Sequence, residues 1–114
     1  MLVEDNQLNH FLIKKQIEKY GAKVISAFDG EDALVKFNEE KIDLIILDML
    51  MPKLNGDEVV AKLNTIYNHL PPIIIFTANV LELNKLNSIN HLITKIITKP
   101  ISERELINEI NMVI

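Results

Sequence analysis

The feature that most constrains the fold is a short apolar run, Leu44-Ile45-Ile46-Leu47, that ends in a single acid, Asp48, with Pro52 four residues further on. A continuous apolar run of this length is typical of a strand that is buried on both faces, as in a parallel sheet. Open α/β sheets bind their ligands at the carboxyl ends of such strands. Asp48 is therefore the first candidate for a reactive side chain.

Strand-like and helical segments alternate along the chain. Apart from the run that ends at Asp48, apolar strands are predicted at residues 1–3, 23–28, 73–77 and 96–98, and a helical pattern follows each strand. This alternation predicts an α/β domain with a parallel sheet and helices on both faces, and right-handed crossovers reduce the topology to a doubly wound sheet. The side chains predicted to face the core from the helices are Leu12, Ile13, Ile17, Tyr20, Ala33, Leu34, Phe37, Val59, Val60, Leu63, Ile66, Leu106, Ile107, Ile110 and Val113.

The predicted helices differ in their start signals. Either Asp5 or Asn6 can cap the first helix, because both side chains accept hydrogen bonds from free backbone N–H groups. Ser102 and Glu105 have the spacing of a capping box at the start of the last helix. The pattern over residues 79–90 also favours a helix, but it contains four asparagines, which compete with the helical backbone.

Composition excludes several classes of function. The chain has 114 residues, enough for one domain with a single core, and a formal net charge of −4 without a basic patch, which argues against nucleic-acid binding. It has no cysteine, so disulfides and thiolate metal sites are excluded. No apolar run approaches the roughly 18 residues that a membrane helix needs, and no signal segment opens the chain. We therefore expect a cytoplasmic protein without membrane contact.

Polar side chains collect where the predicted strands end. Glu4 and Asp5 follow the first strand, Asp48 ends the third, Thr77 the fourth and Lys99 the fifth. Three neighbouring carboxylates repel one another unless a cation joins them, and Mg²⁺ suits a site with few protein ligands and several waters. A lysine and a hydroxyl fit the oxygens of a phosphoryl group, towards which an aspartate can act as the nucleophile. The predicted site therefore suits Mg²⁺-assisted phosphoryl transfer.

In these residues and their spacing, the chain resembles the receiver domain of two-component response regulators and hybrid sensor kinases. The resemblance covers essentially all of the chain apart from the start of the first strand, and its joint pattern is specific. It implies a (βα)5, flavodoxin-like fold with strand order 2-1-3-4-5 and one receiver domain over residues 1–114, either complete or cut from a longer chain. The motif residues are Glu4-Asp5, Asp48 with Pro52 and Gly56, Thr77-Ala78 and Lys99-Pro100.

The resemblance also implies a role for each site residue. Asp48 would accept the phosphoryl group from a phosphohistidine of a histidine kinase or a histidine phosphotransfer domain. Mg²⁺ would be held by Glu4, Asp5, Asp48 and the backbone carbonyl of Leu50, and Thr77 and Lys99 would contact the phosphoryl oxygens. Pro52, Gly56, Ala78 and Pro100 would support the site. The domain would then act in a phosphorelay as a switch, as a monomer or weak dimer, rather than as a metabolic enzyme.

Two features concern how a signal would leave the site. Phosphorylation is expected to bias the face made by the fourth predicted helix, the fifth strand and the fifth helix. The family usually has an aromatic residue three positions before the lysine, whereas this chain has Ile96, which has no ring to rotate.

The three histidines show no ligand spacing, and we predict that His10, His69 and His91 are surface residues.

Three alternatives belong to other classes. An aspartyl-phosphate phosphohydrolase commonly has a second acid two residues after its nucleophile, where this chain has Leu50. A flavodoxin-like electron carrier needs a hydroxyl-rich phosphate loop after the first strand, where Glu4 and Asp5 would repel a phosphate. A degenerate receiver that acts only as a binding module would lack some of the acidic, hydroxyl and lysine positions, all of which are filled here.

Overall fold

The computed structural model describes residues 1–78 and 84–114, in which five strands alternate with helices. The strands are β1 (Leu2–Val3), β2 (Ser26–Ala27), β3 (Ile45–Asp48), β4 (Ile73–Thr77) and β5 (Lys95–Thr98). The α-helices among the described residues are α1 (Gln7–Glu18), α2 (Gly30–Glu39), α3 (Gly56–Ile66) and α4 (Glu103–Val113), the last being the fifth of the predicted helices. No helix among these residues is long and apolar enough to cross a bilayer.

The five strands form one parallel sheet in the order β2-β1-β3-β4-β5, which confirms the predicted doubly wound topology. Val3 lies opposite Leu47, Asp48 opposite Phe76, and Thr77 opposite Thr98. Because all the strands are parallel, their carboxyl ends lie along one edge of the sheet. The residues that follow β1, β3, β4 and β5 are therefore brought together at that edge.

The core lies on both faces of the sheet, as the apolar run at β3 predicts. Ile45 and Leu47 are fully buried in a cluster with side chains of α2 and α3. Ile46 points to the opposite face and is buried with side chains of α1 and α4. This alternation follows from the two-residue period of a strand, and both faces are apolar because helices cover both.

Three of the predicted inward-facing side chains are exposed. Leu12 is 48% exposed, Tyr20 57% and Ile66 63%, so these predictions are wrong. Tyr20 lies beyond the end of α1, where the helical period no longer applies, and Ile66 is the last residue of α3. Leu12 lies about 100° around the helix from Ile13, which packs on the sheet together with Ile17.

The helix predicted over residues 79–90 is not confirmed. Residues 79–83 lie outside the described part of the chain. From residue 84 onward the structure has short 3₁₀ turns, including one at Asn90–Leu92, before β5 begins. Asn84, Asn87, Ser88 and Asn90 fall in this stretch, and their side chains compete with helical hydrogen bonding.

Candidate functional site

The loop after β1 carries two of the acids. Glu4 continues the sheet, because its N–H donates to the carbonyl of Ala27 at 3.1 Å, and the residue is only 2% exposed. Asn6, not Asp5, caps α1, since its side chain accepts from the N–H of Asn9 at 3.0 Å. The Asp5 carboxylate is therefore not used as the cap and lies beside Glu4.

The carboxylates of Glu4, Asp5 and Asp48 meet at the edge of the sheet. One oxygen from each lies within 4.8 Å of the others, which is a spacing that one metal ion can bridge. Burial, reinforced by the negative charge of Asp48, raises the pKa of Glu4 from 4.5 to about 7. A divalent cation would remove this repulsion, and hard oxygen ligands suit Mg²⁺, so the residues present fit such an ion.

Lys99 brings a positive charge to the carboxylates of Glu4, Asp5 and Asp48. Its Nζ lies 3.1 Å from Oδ1 of Asp48 and 3.8 Å from Oε2 of Glu4. The ammonium also lies 5.8 Å from the centre of the Phe76 ring. The Lys99 N–H donates to the carbonyl of Thr77 at 2.8 Å, which extends the pairing of β4 with β5 and aims the lysine at Asp48. The Lys99–Pro100 peptide bond is cis.

Thr77 ends β4 next to these charges. It is completely buried, and it follows Phe76, the residue paired with Asp48 in the sheet. Ala78, the next residue, is exposed. The structure therefore places a hydroxyl-bearing residue one position beyond the strand neighbour of Asp48.

The loop from β3 to α3 packs tightly against Asp48. The N–H of Gly56 donates to the carbonyl of Met49 at 2.7 Å. A Cβ added at Gly56 would lie 2.6 Å from the carbonyl oxygen of Asp48, so only glycine fits this approach. Leu50 and Pro52, by contrast, are exposed in the middle of the loop.

A second contact of this loop was not foreseen from the sequence. Lys53 has a φ of 69°, and its Nζ lies 3.4 Å from Asp29 and 3.6 Å from Glu31, at the start of α2. Next to Lys53 in the loop, Leu54 packs so closely on Gly30 that a Cβ added at Gly30 would clash with the Leu54 side chain. The loop after Asp48 therefore contacts the N-terminus of α2 directly.

His10 is a buried neighbour of the acidic side chains that the sequence did not indicate. It is 2% exposed, so its prediction as a surface residue is wrong, whereas His69 and His91 are exposed as predicted. Its Nδ1 lies 3.0 Å from the carbonyl oxygen of Glu4. The available signal was helical spacing, because His10 precedes the core residues Ile13 and Ile17 by three and seven positions.

Ile96 lies away from the acidic group. It is paired with Ile75 across β4 and β5, is half-buried, and packs on the core cluster beneath α2 and α3. Its predicted role as the switch position stays a prediction.

Comparison with known proteins gives a consistent result. The family model of the response regulator receiver domain matches residues 1–111. The autoinducer 2 sensor kinase/phosphatase LuxQ of Vibrio vulnificus is 36% identical over 110 residues, which are 96% of this chain and 13% of that protein. The alkaline phosphatase synthesis transcriptional regulatory protein PhoP of Bacillus subtilis is 38% identical over 105 residues, which are 92% of this chain and 43% of PhoP.

A solved structure extends the likeness to the fold. The response regulator TrrA of Thermotoga maritima, in complex with Mg²⁺ and BeF, has a TM-score of 0.87 and 27% sequence identity, and the match covers 99% of this chain and 96% of TrrA. The chain spans less than half of the length of LuxQ and of PhoP. Sequence, fold and the acids at the sheet edge thus agree that this chain belongs to the receiver domain family of two-component response regulators.

Proposed function

We propose that this receiver accepts a phosphoryl group on Asp48 from a phosphohistidine, in a Mg²⁺-dependent reaction. The observation that carries the proposal is the position of the Asp48 carboxylate, which lies beside the acids Glu4 and Asp5 and 3.1 Å from the ammonium of Lys99. An aspartate so placed can bind a cation on one side while a phosphoryl group meets the lysine on the other.

The metal ligands in this proposal are the carboxylates of Glu4, Asp5 and Asp48 and the backbone carbonyl of Leu50. Mg²⁺, when bound, screens the negative charge of both the nucleophile and the phosphoryl group. The raised pKa of Glu4 supports this assignment, because the carboxyl group is buried and lies against the negative charge of Asp48, and a bound cation would favour its ionised form.

The transfer itself uses the side chains of this chain. A carboxylate oxygen of Asp48 attacks phosphorus, the bond from phosphorus to the donor imidazole nitrogen breaks, and an acyl phosphate forms on Asp48. Lys99 and Thr77 contact the phosphoryl oxygens as charge and hydroxyl partners. Lys99 is already in place, and it would exchange part of its contact with the Asp48 carboxylate for the new oxygens.

The switch follows from these new contacts. Thr77 and Lys99 gain phosphoryl partners only in the phosphorylated state, and this difference can bias a two-state element. In this proposal the element is the face formed by residues 84–90, which are the described part of the fourth predicted helix, together with β5 and α4, with Ile96 in place of a rotating ring. Gly56 and Pro52 support the loop after Asp48, and Ala78 and Pro100 support the residues that contact the phosphoryl group.

The partner proposed is a histidine kinase or a histidine phosphotransfer domain, and the phosphoaccepting unit is residues 1–114 as one domain. Relatives named as a sensor kinase/phosphatase and as a transcriptional regulatory protein support a place in a phosphorelay. The domain itself needs no nucleic-acid contact for this role, and a monomer or weak dimer suffices.

The experiment is incubation with Mg²⁺ and a small acyl-phosphate donor, followed by intact mass measurement. We expect one phosphoryl adduct in the native chain and none in the Asp48→Asn variant or when Mg²⁺ is chelated. The control variant is Asp43→Asn, which removes an exposed acid just before β3, at the opposite end of the strand, and keeps the adduct. An adduct that persists in Asp48→Asn contradicts the proposal.

A further inference from the structure

His10 is buried directly behind the acidic loop, and no role has been assigned to it. The ring is 2% exposed and stacks on Phe28, with 4.2 Å between ring centres and 24° between their planes. Its Nδ1 lies 3.0 Å from the carbonyl oxygen of Glu4. The ring is thus held on one side by an aromatic neighbour and faces the backbone of a proposed metal ligand.

The hydrogen bond to Glu4 determines which ring nitrogen carries a proton. A carbonyl oxygen only accepts, so Nδ1 must be the donor. The other nitrogen, Nε2, is buried and has no hydrogen-bond partner among the described residues. Burying an unpaired polar atom is costly, and an apolar side chain at this position would avoid that cost. Packing alone therefore does not explain a histidine here.

The contacts around Glu4 show what the hydrogen bond can do. The Glu4 side chain is approached by Lys99 at 3.8 Å and by Nδ2 of Asn9 at 3.5 Å, both long distances for firm hydrogen bonds. The 3.0 Å bond from His10 holds the Glu4 carbonyl instead, and that carbonyl belongs to the peptide unit joining Glu4 to Asp5. The orientation of this peptide sets the directions in which both carboxylates leave the chain.

We propose that His10 is a positioning residue for the cation site. This proposal rests on the function proposed above. By donating from Nδ1 to the Glu4 carbonyl, it keeps the peptide between Glu4 and Asp5 oriented while the acidic side chains repel one another and Asp48. Phe28 fixes the plane of the imidazole by stacking. Partners that hold the ligands of a metal ion, without touching the ion, commonly contribute to its affinity.

The test compares His10→Asn with His10→Gln. The amide nitrogen of asparagine can take the place of Nδ1, whereas that of glutamine takes the place of Nε2. Mg²⁺ affinity is measured by calorimetric titration, and the amide NMR signals of Glu4 and Asp5 report the orientation of the loop. We expect His10→Gln to weaken Mg²⁺ binding by about tenfold and to shift both amide signals, and His10→Asn to remain near the native affinity.

A third variant, His10→Leu, separates positioning from packing. It removes the donor together with the unpaired Nε2, so we expect weaker Mg²⁺ binding with an unchanged or higher melting temperature. The control is Phe11→Ala, an exposed neighbour on α1 that should change neither quantity much. If the native chain does not bind Mg²⁺, the proposed function fails; if it binds and the Asn and Gln variants bind equally well, the role of His10 is overturned.

Discussion

The loop after β1 and the loop after β3 reach the same acidic group, but different contacts hold them. The first loop is held from within, because the buried ring of His10 donates to the Glu4 carbonyl and Asn6 caps α1. The second is held towards its end, where Gly56 approaches the backbone of Asp48 and Leu54 packs on Gly30. Leu50, Pro52 and Lys53 in this loop are exposed, whereas Met51 among them is buried in the core.

This difference separates two tasks of the site. In the proposed function, Glu4 and Asp5 need fixed directions to bind a cation, and the buried hydrogen bond from His10 supports them. In the same proposal, the exposed residues of the loop after Asp48 make room for an incoming phosphohistidine, whereas Gly56 needs a close backbone approach. We therefore expect substitutions at the close approach to have large effects and substitutions at the exposed residues to have small ones.

The largest effect on stability is expected for Gly56→Ala. The added Cβ would lie 2.6 Å from the Asp48 carbonyl oxygen, so the backbone must move, at a cost of about 3 kcal/mol. The control is Gly21→Ala, which places a Cβ in open space at a φ of 92° and should cost only about 1 kcal/mol. Urea unfolding measures both. A Gly56→Ala variant as stable as the native chain would contradict the tight approach.

The pH dependence of the free energy of unfolding tests whether Glu4, in the loop after β1, is buried against Asp48. The pKa of Glu4 rises from 4.5 to about 7 on folding. Between these two pH values the Glu4 carboxyl group therefore keeps its proton in the folded state, whereas it loses the proton in the unfolded chain. Stability without Mg²⁺ should therefore fall as pH rises from about 4.5 to 7, with a contribution from Glu4 on the order of 2 kcal/mol.

Urea unfolding at several pH values without Mg²⁺ measures this effect. The Glu4→Gln variant should lose that part of the pH dependence, whereas Glu40→Gln, at an exposed position, should keep it. Adding Mg²⁺ at neutral pH should restore stability to the native chain by binding the ionised form. A Glu4→Gln profile that matches the native one would show that Glu4 is not buried against Asp48.

The smallest effects are expected at Lys53. Lys53 is exposed in its ion pairs with Asp29 and Glu31, so Lys53→Ala should lower the free energy of unfolding only slightly, and less at high salt. Lys53→Gly removes the same pairs but relieves the φ of 69°, so it should be more stable than Lys53→Ala by about 1 kcal/mol. Urea unfolding at low and high salt measures both, with Lys62→Ala as the exposed control on α3. A loss of several kcal/mol would show that the exposed pairs hold the loop.

The sheet was predictable from the sequence because its signals are local. The apolar run at β3 and the alternation with helices imply buried parallel strands, and the carboxyl ends of parallel strands must share an edge. The meeting of Glu4, Asp5 and Asp48 also needs β1 to lie next to β3, a strand order that the resemblance to receiver domains implies. The 3.1 Å contact from Lys99 to Asp48 does not follow from these signals, because it depends on the register in which Phe76 faces Asp48.

The wrong predictions of burial concern residues whose side-chain type and whose position in the helix favour different environments. His10 has the helical spacing of a core residue but a polar ring, and its burial depends on Phe28 and on the Glu4 carbonyl, which are distant from that pattern. Tyr20 and Ile66 have apolar side chains at or beyond helix ends, where burial depends on the next segment of chain. In residues 84–92 the asparagines outweighed the apolar spacing, so short turns formed.

The most direct test of the account is the location of the phosphoryl group. The phosphorylated chain is reduced with borohydride, which converts an aspartyl phosphate into homoserine, and the peptides are then sequenced by mass spectrometry. We expect homoserine at position 48 alone, and only in samples phosphorylated with Mg²⁺ present. Homoserine at position 5, 29 or 43 in place of 48, or phosphate that resists reduction on a histidine or Thr77, would contradict it.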